Sequence, residues 1–203
     1  MLTYYDHADR NESKIALTFD DGPNPTHTIE LLDILNQNKI KATFFLLGKW
    51  IEMYPNIVKN IFERGHLIGN HGYSHSKLNE NFEKTQQLLK EITGDAPKYL
   101  RPPYGDLIYP GLRKLENKIK IIRWDVSASD WKQPGEDFII DSILKNTKNG
   151  SIILLHDGDH KDSKSGRCAQ MLKVLPEIIK ELKKQYMLVR LDEMKLIPSN
   201  LPV

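Results

Sequence analysis

Two aspartates stand side by side in "LTFDDGPN" (17–24), at the end of an apolar run. Asp20 and Asp21 each raise the cost of ionising the other, so the pair needs a compensating charge. Part of "NHGYSH" (70–75) offers one: His71 and His75 are four residues apart. In a helical turn that spacing sets both imidazoles on one face, able to share a metal ion. Two histidines and a carboxylate can hold a divalent cation and leave positions open for water or substrate. One aspartate would then be the ligand and the other a free base beside it. The plain alternative for "DDGP" is a helix cap and a turn, which accounts for one aspartate and leaves the other over. A histidine pair at this spacing is, alone, a common coincidence.

Other ionisable groups follow apolar segments in the same way. Arg101 opens "RPPYG" (101–105), whose prolines make a rigid turn beside Tyr104; "WDVSASDW" (124–131) ends in Asp130 and Trp131; "LLHDG" (154–158) places His156 after Leu155. Each has a plain structural reading: a solvated arginine, a loop with a buried aromatic, a structural histidine. Five such clusters at five segment ends argue for one shared site. His7, His27, His66 and His160 read as structural or loop residues. Cys168 reads as a half-buried thiol, and Trp50 and Trp124 as core.

The elements that would position these groups alternate. Strand-like runs occupy 14–19, 41–47, 66–70, 98–101, 119–126, 151–156 and 186–191, several nearly continuous in apolar residues, as in strands covered on both faces. Helical patterns occupy 26–39, 55–65, 79–94, 135–150 and 168–185. The helix at 55–65 opens on proline and closes on glycine. Repeated β-then-α units predict a parallel sheet. Their number predicts an α/β fold: one domain over 1–203, a distorted (β/α) barrel of about seven or eight parallel strands with its active site at the C-terminal strand ends.

The 203 residues suffice for one sizeable core. Twenty-nine Lys and Arg against 27 Asp and Glu leave a net charge of +2, which gives no support to a nucleic-acid partner. A single cysteine excludes an intrachain disulfide. No apolar run is long enough to span a membrane. "MLTYYDHADR" has neither a basic region nor an apolar stretch and does not read as a signal peptide. Two locations stay open: cytoplasmic as written, or a secreted or cell-wall catalytic domain without its leader. A monomer is expected.

In this order, "TFDDGP", "HGYSH", "RPPY", "SASDW" and "LLH" resemble the five motifs of the polysaccharide deacetylase family (the NodB-homology domain, carbohydrate esterase family four). The resemblance spans roughly 14–191. It implies a metal-dependent hydrolase that removes acetyl groups from N-acetylglucosamine polymers or oligomers such as chitin, peptidoglycan or exopolysaccharide. It also implies roles. Asp21, His71 and His75 would bind one divalent metal, with zinc expected and cobalt, nickel or iron also suited. Asp20 would be the general base and Arg101 would orient it. The Tyr104 N–H would face the oxyanion. His156 would be the general acid, and Asp130 would hold either the Arg101 or the His156 side. Leu155 would line the acetyl pocket and Trp131 would wall the groove. The fourth motif departs from the family, which often has an aspartate where this chain has Ser127; no role is carried to that position. The rival readings are an O-acetyl esterase of the acetylxylan type and a carbohydrate-binding domain without activity.

Overall fold

The computed structural model describes residues 2–77, 80–115 and 118–200. In chain order the elements are β1 (Thr3–Ala8), β2 (Lys14–Gly22), α1 (His27–Gln37), β3 (Thr43–Leu46), α2 (Gly48–Met53), α3 (Pro55–Glu63), β4 (Leu67–Asn70), α4 (Phe82–Thr93), β5 (Tyr99–Leu100), α5 (Pro110–Leu115), β6 (Lys120–Ile122), β7 (Val126–Ser127), α6 (Glu136–Asn146), β8 (Ile152–His156), α7 (Ala169–Leu182), β9 (Met187–Leu188) and β10 (Leu196–Asn200). The sheet runs β10-β1-β6-β5-β4-β3-β2-β8-β7, and β9 joins β2 near its start. The β1–β10 ladder is antiparallel and the other ladders are parallel. This is the expected α/β barrel in distorted form: among the described residues no ladder joins β6 to β7.

Period-two alternation sorts the strand side chains into two populations. On β2 and β8, Ile15, Leu17, Phe19, Ile153 and Leu155 face outward and pack with Ile139, Ile143, Leu175 and Ile179 of α6 and α7. Ala16 and Ile152 face inward with Phe45, Tyr99 and Ile122. Each fully buried Leu, Ile or Phe is worth roughly 1.5–3 kcal/mol, so the outer cluster fixes the strand orientation. It leaves the inner face free to carry polar groups at the strand ends.

Three expectations need correction. The single strand over 119–126 is two, β6 and β7, because the chain crosses between neighbours there: the Arg123 N–H donates to Tyr5 O at 2.7 Å and the Asp125 N–H to Ile152 O at 3.2 Å. The helix expected over 79–94 begins at Phe82, capped by the Asn81 side chain, which accepts from the Lys84 N–H at 2.9 Å; Asn79 lies outside the described residues. The strands β1 and β10 and the helices α2 and α5 were not expected. No described helix is long and apolar enough to cross a membrane.

Candidate active site

Asp20 ends the inward row of β2, in register with His156 on β8 and Phe45 on β3. Alternation would turn Asp21 outward with Phe19. Instead the β2–β3 ladder slips, pairing Asp20 with Phe45 and Gly22 with Leu46, and Asp21 takes φ 72°. Such a bulge re-aims a side chain. Both carboxylates therefore line one cavity, which His71, His75, Tyr104, Trp131 and His156 also border.

The two carboxylates share His71, whose Nε2 is 3.6 Å from Asp20 Oδ2, and differ in their other partners. Asp21 Oδ1 lies 3.4 Å from His71 Nε2 and 3.5 Å from His75 Nε2. It is buried and accepts no hydrogen bond among the described residues. His71 Nδ1 is 2.7 Å from the carbonyl oxygen of Arg101 and donates to it, which leaves Nε2, the nitrogen that faces Asp21, as the atom that would ligate a cation. Burial holds the His75 imidazole down to about 3, which keeps it neutral. Burial pushes the Asp21 carboxyl up, but His160, His71 and His75 outweigh it and hold it well below the usual carboxylate range. Three donor atoms of the right chemistry thus lie within 4.8 Å of one another, and the orphaned oxygen points among them: this triad fits a divalent cation.

Asp20 Oδ1 instead receives Arg101 Nη1–H at 2.8 Å. Arg101 is fully buried. It also donates to Thr18 Oγ1 at 2.8 Å and to Arg123 O at 3.0 Å, and it lies over Phe45 with its guanidinium carbon 4.3 Å from the ring centre. His156 is clamped by Asp130: its backbone N–H donates to Oδ2 at 2.9 Å, and its Nδ1 lies 3.0 Å from Oδ1. Burial lowers the His156 pKa, but the Asp130 carboxylate outweighs it and carries the group up to about 9. Trp131 stands 4.9 Å from the His156 ring. The Tyr104 ring is 4.4 Å from His75, on a residue at φ 60°.

Several sequence expectations are overturned here. His71 and His75 lie in a loop rather than a helical turn, since Gly72 and His75 take φ 84° and 62°. The Glu80 carboxylate organises that loop, accepting the N–H groups of Ser74 at 2.9 Å, Ser76 at 2.7 Å and Tyr73. Leu155 faces the outer core, while Leu154, two residues before His156 on the same face, borders the cavity. Trp124 lines the cavity rather than lying wholly in the core. His160 lies in a loop, as read from the sequence, and from there reaches Asp21 and His75. Nothing in residue type announced Glu80. His160 had one signal, its place four residues after His156. Trp50 and His66 are structural, as expected: Trp50 is buried, and His66 Nδ1 accepts the Ala42 N–H at 3.1 Å.

Residues 7–120 match the sequence profile described as polysaccharide deacetylase. The chain belongs to the polysaccharide deacetylase family. The matched span holds Asp20, Asp21, His71, His75, Arg101 and Tyr104; Asp130 and His156 lie beyond it. The chain is 42% identical over 179 residues to a peptidoglycan-N-acetylglucosamine deacetylase of Bacillus cereus, covering 83% of this chain and 64% of that one. It is 33% identical to a chitooligosaccharide deacetylase of Rhizobium leguminosarum bv. trifolii, with 81% and 80% covered. A crystal structure of a peptidoglycan N-acetylglucosamine deacetylase superposes with TM-score 0.88 at 39% identity, over 95% of this chain and 92% of that one.

Proposed function

We propose that this polysaccharide deacetylase family member hydrolyses the N-acetyl groups of N-acetylglucosamine-containing glycans, releasing acetate, with zinc at Asp21, His71 and His75. The observation that carries the reading is the division of the adjacent carboxylates: Asp21 Oδ1 faces the two histidines while Asp20 Oδ1 is held by Arg101. A divalent cation, when bound, acidifies water and polarises a carbonyl. Asp20, held in place by the Arg101 hydrogen bond, takes a proton from water as the water oxygen attacks the acetyl carbon. The Tyr104 N–H faces the oxyanion so formed; a donor of this kind is worth roughly 2.7–4 kcal/mol. His156, charged at neutral pH, delivers its proton to the amide nitrogen as the C–N bond breaks. The sugar amine and acetate result. Trp131 walls the groove, and Leu154 takes the place expected of Leu155 beside the acetyl methyl.

The test is acetate release from N-acetylglucosamine oligomers, peptidoglycan and acetylated xylan, before and after chelation and again with zinc restored. Activity on the first two that chelation abolishes and zinc restores is expected. Activity on xylan alone would replace the amidase reading with an esterase, and activity indifferent to chelation would remove the metal.

A further inference from the structure

His160 has no part in the chemistry above, yet it touches two of the three residues that would hold the cation. Its ring stacks on His75 with centroids 4.3 Å apart and planes 19° from parallel. Its Nδ1 lies 3.5 Å from Asp21 Oδ2, the oxygen the other two histidines do not approach most closely. Stacked imidazoles direct their lone pairs side by side rather than toward one point, so His160 is badly placed to be a further ligand.

His75 needs such a neighbour. A ligating histidine ordinarily donates its second ring N–H to a fixed acceptor, which sets the plane of the ring. His71 has one in the carbonyl of Arg101. His75 Nδ1 is buried and has no hydrogen-bond partner among the described residues. What restrains its plane is contact with rings: His160 against its face and Tyr104 at 4.4 Å and 66°. The loop bearing His160 is itself tied to α2. Trp50 Nε1–H donates to Asp159 O at 3.1 Å, and the Lys49 ammonium donates to the carbonyl of His160.

We infer that His160 is a positioning residue for the cation site, a reading that rests on Asp21, His71 and His75 being that site. Its Nδ1–H faces Asp21 Oδ2 and turns Oδ1 toward the cation, and its ring sets the plane of His75. Second-sphere contacts of this kind are typically worth 10–100-fold in metal affinity.

The experiment measures zinc affinity of the full chain by competition with a chromophoric chelator, and the visible spectrum of the cobalt-loaded protein. His160→Ala should weaken zinc by about 10–100-fold and alter the cobalt bands, with the metal-free melting temperature unchanged. His160→Asn, which keeps an N–H donor, should recover part of the affinity. Wild-type affinity and a superimposable cobalt spectrum in His160→Ala would overturn the inference, as would a loss matched by a lower metal-free melting temperature. His71→Ala separates this from the parent reading: if it too binds zinc like the wild type, the cation site itself is misassigned.

Discussion

Asp20 and Asp21 line the same cavity, and the proposed division of roles predicts that only Asp20 can be replaced without loss of the metal. Asp20→Asn should retain zinc and lose turnover by at least about 10²–10⁴-fold, the usual worth of general acid–base assistance; Asp21→Asn should lose zinc. Metal analysis beside initial rates decides, and equal metal loss in both variants would undo the assignment. For His156 the sign of the pH dependence follows from its partner. Against burial, Asp130 holds the folded-state pKa at about 9, so the acid is charged at neutral pH and is lost as pH rises through about 9. Asp130→Asn removes the main support for the charge while burial remains. The alkaline limb of the rate profile should then move to lower pH, by about 1–3 units; an unmoved limb would assign that limb to another group. His156→Ala should cripple amide hydrolysis and spare an activated aryl acetate, whose phenolate leaves without a proton. Equal losses on both substrates would make His156 structural.

At the scale of elements, the loop after β4 is held by a carboxylate rather than by helical hydrogen bonds. Glu80→Ala removes the acceptor for the N–H groups of Tyr73, Ser74 and Ser76. It should weaken zinc at His75 and speed amide exchange between residues 72 and 76, with Glu80→Gln falling between; unchanged exchange would mean the loop is held otherwise. The central strands were legible in the sequence because burial on both faces leaves unbroken apolar runs. The site was legible as a set of residue types at strand ends. Its geometry was not, because the residues that shape it break the local rules. Asp21, His75, Tyr104 and Ser129 all take positive φ, between 52° and 72°, where side chains other than glycine are uncommon. Backbone of this kind clusters at functional sites, where the surrounding structure enforces it. Leu154 and Leu155 differ by one step of strand register, and residue type cannot say which of two leucines faces inward. The elements absent from the sequence reading, α2, α5, β1 and β10, are short or half exposed and carry little hydrophobic pattern.

For the molecule as a whole, Asp157 is a buried liability behind the site. Burial, reinforced by Asp20 and Asp21, pushes its carboxyl up to about 7 against the hydrogen bond from Thr28. The folded state therefore binds this proton more tightly than the unfolded chain, whose value is near 3.8. The contribution of Asp157 to stability is fully present below that value and is lost as pH rises through about 7. The melting temperature of Asp157→Asn relative to wild type should rise between pH 4 and pH 8; parallel curves would show that the Asp157 carboxyl is not raised in the fold. The strand order has a separate consequence, for how copies of the chain meet one another. An open sheet ends in two rows of unpaired backbone groups, the template on which chains aggregate edge to edge. Here one end is β7, only two residues long, and the other is β10, which carries Pro198 and so offers no N–H at its centre. Both margins are poor templates, and the chain should sediment as a monomer. Pro198→Val restores the missing donor and adds a β-former; it should bring concentration-dependent association in sedimentation velocity while acetate release at low concentration stays the same.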